Sequence, residues 1–294
     1  MSLKFNGVIS ALPTPFLNGA VDMKSFVRLV EYQLKNGING FVVNGTTAES
    51  PTLSWSEVEA LYKTVREISG TRVPIILGTG SNSTADTIET TKLAADMGAD
   101  AALVVVPYYN KPPQRGLEAH FRAVADSSKL PIILYNVPGR TITAMSIETI
   151  VNLSAVKNIV AIKEASGDIS FDQQLKNKLP PQFTLLSGDD PTYIDFLKLG
   201  GNGVISVMSN AITAPCAQWT EQAKSAQWEK LTADFARYRN LISLMYVEAN
   251  PIPLKWMLYK MGLFASAEMR LPLVSLEATH HEKISSEMKA LGLI

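Results

Sequence analysis

Short apolar runs rich in β-branched residues recur along the chain: GVISAL (7–12), GFVVN (40–44), VPIILG (73–78), AALVVV (101–106), PIILYN (131–136), IVAIK (159–163), FTLLSG (183–188) and GVISV (203–207). Their hydrophobicity is continuous rather than alternating, which suits strands buried on both faces, as in a parallel sheet. Between the runs, apolar positions repeat at helical spacing over Met23 to Asn36, Ser56 to Ser69, Thr84 to Met97, Leu117 to Ser127 and Ser146 to Leu153. Local signals mark the helix ends. Ser54 precedes Glu57 as a capping box, Ser146 caps the segment running to Leu153, and Gly37, Gly70 and Gly98 follow helical stretches. Eight repeats of strand then helix predict an α/β fold, a (β/α)8 barrel. A doubly wound open sheet is the structural rival, against which stand the eight strands and the lack of GxGxxG after the first.

After Val207 the strand rhythm stops. Residues from about Ala211 to Ile294 read as helical, with Trp228, Leu231, Phe235, Leu241, Ile242 and Met245 on one stripe and NPIPLKW (250–256) breaking the next helix from it. The expected organisation is a barrel catalytic domain over residues 1–225 and a C-terminal helical domain over 226–294.

With 294 residues, 46% of them hydrophobic, the chain can bury a large core. Its 27 basic and 27 acidic residues cancel and form no basic block, so neither nucleic acid nor a membrane surface is an expected partner. A small molecule is. The single Cys216 excludes an intramolecular disulfide, MSLKFNGVIS lacks the pattern of a secretory leader, and no apolar run approaches the roughly 18 residues of a membrane span. The expected location is the cytoplasm.

Lys163 is the first candidate for chemistry, because it ends the apolar run IVAIK. Desolvation disfavours an ammonium and frees an amine to attack a carbonyl and form a Schiff base. The other fate open to it is to leave the strand end for solvent or to pair with a carboxylate. In a barrel the strand ends share one rim, where active sites lie. That rim is polar here: Thr46, Thr47 and Glu49 follow the second strand, Tyr108 and Tyr109 the fourth, Tyr135, Asn136 and Arg140 the fifth. Carbinolamine formation needs a proton relay, for which Thr46, Tyr109 and Tyr135 are candidates. The tyrosines serve equally as pocket wall, and the threonines as turn caps. Arg140 suits a substrate carboxylate or a neighbouring acid.

Phosphate and metal find little support. GTGSN (78–82) is also ordinary loop chemistry, and Asp189 with Asp190 after the seventh strand would repel a phosphate. For these two aspartates, helix capping and rim hydrogen bonding are expected in preference to a cation. His120, His280 and His281 lie off the strand ends and read as surface residues.

The segments GTTAES (45–50), PYYNKP (107–112), YNVPGRT (135–141), IKEASGD (162–168), SGDD (187–190), GVISV (203–207) and NPIPLKW (250–256) stand in the order of a known family. Through them the chain resembles the dihydrodipicolinate synthase and N-acetylneuraminate lyase group of class I aldolases. The resemblance implies the same barrel with a three-helix C-terminal domain, and a homotetramer built as a dimer of dimers. It implies that Lys163 forms a Schiff base with pyruvate, and that Thr46, Tyr135 and Tyr109 relay protons, with Tyr109 reaching in from a neighbouring subunit. Thr47 would contact the pyruvate carboxylate, and Ile205 would line the site through its carbonyl. YNVPGRT is similar to the synthase branch, in which Arg140 would receive the carboxylate of L-aspartate 4-semialdehyde. The reaction implied is condensation of that aldehyde with pyruvate to 4-hydroxy-tetrahydrodipicolinate, in lysine biosynthesis by the diaminopimelate route, with no metal or organic cofactor. The alternative is a related pyruvate aldolase acting on N-acetylneuraminate or a 2-keto-3-deoxy sugar acid. A third class of function is a keto-acid sensor that forms no imine.

Two departures stand out. Ala48 replaces a usual glycine. The positions matching a lysine feedback site are Ser50, Pro51, Trp55, Val58, Asn82, Asp86 and Tyr108, and an apolar Val58 with a short Asp86 predicts weak or absent inhibition.

Overall fold

The eight apolar runs become eight parallel strands in the computed structural model of the chain, which describes residues 5–294. They are β1 (Gly7–Ala11), β2 (Gly40–Val43), β3 (Ile75–Gly78), β4 (Ala101–Val105), β5 (Ile132–Asn136), β6 (Ile159–Glu164), β7 (Thr184–Ser187) and β8 (Gly203–Ser206). Hydrogen bonding links them in the closed order β1-β8-β7-β6-β5-β4-β3-β2, a (β/α)8 barrel. Every residue of β1, β2, β3, β5 and β8 is buried, which is why the runs are apolar without alternation. The helical spacing and end signals fall into place in the helices Met23–Lys35, Trp55–Ser69, Thr84–Asp96, Gln114–Ser127 and Ile147–Ser154. Ser54 and Glu57 form the full capping box, and the Ser146 hydroxyl accepts from Thr149 N. Gly37, Gly70 and Gly98 take positive φ of 85°, 57° and 79°, the left-handed turn that releases a helix at little steric cost to glycine. Among the described residues no helix is long and apolar enough to cross a membrane.

Packing divides the chain into two compact units, one of residues through Gly7 with Pro74–Ile205, the other of Val8–Val73 with Ser206–Ile294. In the first, β5 and β6 run in a register that sets Tyr135 beside Lys163 and Asn136 beside Glu164. Gly203 lies so close to Gly7 that a Cβ on it would stand 2.1 Å from the Gly7 carbonyl oxygen. His120, expected on the surface, is buried. It shares a helix face with Leu117, Phe121 and Val124, its Nδ1 is 2.9 Å from Thr84 Oγ1, and burial pushes its pKa down to about 4.

In the second unit, Asn210 is a saturated buried amide. Its Oδ1 accepts from Ser10 Oγ at 3.0 Å and Gln33 Nε2 at 2.8 Å, while its Nδ2 donates to the carbonyls of Ala11 at 2.9 Å and Val207 at 3.0 Å. The predicted stripe from Trp228 to Met245 is real but split between helices Trp228–Ala236 and Arg239–Leu244. The helical expectation fails over residues 263–277, between the helices Ile252–Lys260 and His281–Ala290. Gly262 turns the chain at φ 73°, Pro272 offers no backbone donor, and side chains from the N-terminal part of the same unit take this stretch's backbone groups. Arg28 donates to Leu263 O, and the Ser25 hydroxyl accepts from Ala265 N.

The segment 44–50 after β2 is held by this unit's C-terminal part. Lys255 Nζ lies 2.6 Å from Glu49 Oε1 with side-chain exposures of 0% and 1%, and 4.2 Å above the Phe16 ring. Glu49 Oε2 accepts from Arg270 N at 3.0 Å, and the Arg270 guanidinium forks onto Glu57, the carboxylate of the capping box. That fork holds the Glu57 carboxyl down at about 2.

Two outcomes follow for stability. Gly203→Ala drives its methyl into the backbone of Gly7 and should cost about 2 kcal/mol or more, seen as a lower denaturant midpoint. Lys255→Met strands the Glu49 carboxylate and should cost roughly 3–5 kcal/mol, whereas Lys255→Met with Glu49→Leu recovers most of the loss. Equal midpoints for the single and double variants would show that the stranded charge is not the cause.

Candidate active site

Lys163 takes neither of the ordinary fates of a lysine at a strand end. It is 6% exposed, and among the described residues no carboxylate pairs with it. Because Tyr135 and Lys163 are register partners on adjacent parallel strands, their side chains share a face, and the ammonium sits 4.2 Å from the Tyr135 ring centroid. The next pair along the strands points to the opposite face and fixes them there. Asn136 Nδ2 donates to Glu164 Oε2 at 2.6 Å, Ser166 N donates to Glu164 Oε1 at 2.7 Å, and Asn136 Oδ1 accepts from Met145 N at 3.0 Å. Burial pushes the Glu164 carboxyl up, with these hydrogen bonds opposing. Behind it, burial raises Asp172 to about 7, helped by the charges of Glu164, Asp168 and Asp189.

Gly188 belongs to the same cluster, and from the sequence it had no role beyond its place in FTLLSG and SGDD. A Cβ there would stand 2.6 Å from Lys163 Cε and 2.6 Å from Ala165 Cβ, so only glycine leaves the lysine its present course. Asp189, next in the chain, makes rim hydrogen bonds and does not cap the helix Tyr193–Lys198: its Oδ2 accepts from Thr192 N at 3.1 Å and Thr192 Oγ1 at 2.7 Å.

Three other predicted residues of this unit lie at different depths. Ile205 is buried in β8. Arg140 is exposed on the short helix Pro138–Thr141, which the Thr141 hydroxyl closes by donating to Thr143 O at 2.7 Å. Tyr109 is 86% exposed and has φ of 76°, a strained conformation for a tyrosine, in a loop tied down where Asn110 Nδ2 donates to Asn82 O at 2.8 Å. Its ring projects away from the surface of its own chain.

In the other unit, Thr46 and Thr47 lie on the 3-10 turn Thr46–Ala48, and neither hydroxyl caps it. Thr46 is half-buried and Thr47 buried, with Thr47 Oγ1 accepting from Asn250 Nδ2 at 3.0 Å. Ala48 keeps its methyl buried and its carbonyl accepts from Thr14 Oγ1 at 2.8 Å. Asn250, Lys255 and Glu49 were not singled out as site residues from the sequence. The one signal was a lysine inside the otherwise apolar NPIPLKW. Chemically, the molecule thus offers a buried amine beside a phenol, and two hydroxyls at the end of β2, that of Thr47 held by Asn250.

The family model described as the dihydrodipicolinate synthetase family matches residues 4–291. The 4-hydroxy-tetrahydrodipicolinate synthase of Bdellovibrio bacteriovorus is 53% identical over 290 residues, 99% of both chains. Among solved structures, the chloride-inhibited dihydrodipicolinate synthase of Acinetobacter baumannii, complexed with pyruvate, superposes with a TM-score of 0.96 at 41% identity, covering 99% of this chain and 100% of that one. A protein described as the first monomeric dihydrodipicolinate synthase variant gives a TM-score of 0.97 at 40% identity, covering 99% and 98%. With that match along nearly its whole length, on a barrel whose sixth strand carries a buried lysine next to its end, the chain belongs to the dihydrodipicolinate synthetase family.

Proposed function

We propose that the protein condenses pyruvate with L-aspartate 4-semialdehyde to 4-hydroxy-tetrahydrodipicolinate, through a Schiff base on Lys163. The observation that carries the reading is the buried Lys163 amine against the Tyr135 ring at the rim of the barrel. Relatives named for this product, at 53% and 42% identity over nearly the whole chain, support it, and none of the comparisons favours the sugar-acid alternative.

In this mechanism the neutral Lys163 amine adds to the pyruvate C2 carbonyl, and the carbinolamine loses water to give an iminium. A C3 proton then leaves, forming an enamine. The enamine carbon attacks the aldehyde of the second substrate, the aldehyde oxygen taking up a proton. The substrate's amine displaces Lys163 at C2, closing the ring and freeing the enzyme. The balance is one keto acid and one amino aldehyde in, one cyclic imine, one water and one proton out. Tyr135, with Thr46 and Tyr109, moves the protons. Thr47 and the Ile205 carbonyl face the pyruvate moiety, and Arg140 receives the carboxylate of the aldehyde. Lys163, Tyr135 and Thr46 are thus the working groups of one copy. The exposure of Tyr109 supports its service to a neighbouring copy in a homotetramer, although one relative is a monomeric variant. On this reading the reaction takes place in the cytoplasm and on the barrel through residue 225, with residues 226–294 as the helical domain.

The test is a coupled assay with both substrates, the reductase acting on the product, and NADPH consumption as readout. Turnover requiring both substrates is the expected result. Lys163→Ala should abolish turnover and borohydride trapping of pyruvate. Arg140→Ala should keep trapping while kcat/KM for the aldehyde falls about ten- to a hundredfold, the worth of a hydrogen bond to a charged group. Trapping without turnover in the wild type would move the protein to a sibling aldolase. No trapping at all would leave a keto-acid binder.

Feedback by lysine should be weak. Val58 is buried and offers nothing to an ammonium, and Asp86 is exposed in the first turn of its helix. In the same assay, activity should fall by less than half up to low-millimolar L-lysine. Steep inhibition at micromolar lysine would overturn this.

A further inference from the structure

We propose that Asn250 is a positioning residue for the keto acid: its side-chain amide donates to the Thr47 hydroxyl and so leaves that hydroxyl's own proton for the substrate carboxylate. The inference rests on the reading above, in which Thr47 contacts that carboxylate.

Asn250 is buried, and its Nδ2 is 3.0 Å from Thr47 Oγ1, across 203 residues of sequence. A threonine hydroxyl has one proton and two lone pairs. With Nδ2 on one lone pair, the hydroxyl remains a donor, and a donor is what a carboxylate requires. Were the hydroxyl instead to donate to Asn250, its proton would be consumed inside the protein and a lone pair would face the anion. The amide therefore sets the polarity of the contact as well as its place.

The hydroxyl has little freedom to evade this control. Threonine is stiff at χ1, and the turn that bears it is pinned on both sides. Ala48 N donates to Gly45 O at 3.0 Å, Glu49 N donates to Thr46 O at 3.2 Å, and Ala48 O accepts from Thr14. Asn44 and Glu49, one on each side of the turn, both have φ of 59°, a region sparsely used by residues other than glycine. Such conformations persist where the surroundings over-determine them. At Glu49 the surroundings are Lys255 and the Arg270 amide. Asn250 lies five residues before Lys255, so one stretch of chain supplies both the anchor of the loop and the donor that orients its hydroxyl.

The experiment measures how much pyruvate half-saturates cyanoborohydride trapping on the full-length protein, which needs no second substrate. Asn250→Asp is nearly isosteric, but its ionised carboxylate accepts the hydrogen bond of the Thr47 hydroxyl and adds a charge facing an anion. The half-saturating pyruvate concentration should rise about tenfold or more, while the amplitude of trapping at saturation stays close to wild type and the thermal midpoint falls with the buried charge. The ratio of variant to wild type should shrink as pH is lowered toward about 5, because burial at this position lifts a carboxyl above the ordinary aspartate value of about 3.9 and the protonated acid donates again. A purely structural role predicts neither the selective loss nor its recovery with acid. In a Thr47→Val background, Asn250→Asp should add little. If Asn250→Asp does not fold, Asn250→Ser, whose hydroxyl is too short to reach, should shift the half-saturation in the same direction. A half-saturating concentration within twofold of wild type in the folded variant overturns the inference. Absence of trapping in the wild type overturns the reading on which it rests, a separate result.

Discussion

The ion pair between Lys255 and Glu49 is the constraint on which the turn bearing Thr46 and Thr47, one half of the proposed site, depends. Two charges removed from water cost several kcal/mol each, and their attraction repays that only with good geometry and further hydrogen bonds. Both conditions are met: the pair is 2.6 Å apart, the second carboxylate oxygen accepts from Arg270 N, and the Phe16 ring faces the ammonium. Burial still dominates and holds the Lys255 pKa down at about 8. An apolar pair would fill this space at no electrostatic cost. What it would not do is fix the backbone of Glu49 in a left-handed conformation, and that conformation ends the turn bearing Thr46 and Thr47.

The same logic explains the irregular stretch 263–277. A helix there would have satisfied its own backbone, but would have withheld the amide of Arg270 from Glu49 and its guanidinium from Glu57. The chain gives up local hydrogen bonds and gains long-range ones. Glu268 follows the same pattern, accepting from the amides of Asn18 and Gly19 at 2.8 and 2.7 Å, some 250 residues away.

The other half of the proposed site depends on strand register. Parallel pairing of β5 with β6 puts Tyr135 and Lys163 on one face and Asn136 and Glu164 on the other. The outward pair is a hydrogen-bonded lock, the inward pair a lysine against a phenol. A slip of one residue would exchange them, burying a carboxylate where the amine stands. Gly188 completes this half by absence of a side chain, leaving room for the lysine's methylenes.

The sequence by itself determined the barrel, because strands buried on both faces must be continuously apolar and helices packed on one face must be periodic, and neither pattern depends on partners. It also marked Lys163, Thr46, Thr47, Tyr109, Tyr135 and Arg140 as candidates, because polar groups gathered at the ends of apolar runs share one rim of a barrel, although each alone has an ordinary structural use. Only the tertiary structure decided that Lys163 is buried against the Tyr135 ring, that His120 lies inside, and that Asn250, Lys255 and Glu49 serve the threonine turn. Such roles arise between residues some 200 positions apart, as Lys255 and Glu49 are, where no local period or cap leaves a trace. Gly188 was invisible for a different reason. A glycine beside a strand has many uses in a turn, and its service to Lys163 exists only once the lysine's methylenes fill the space a Cβ would need.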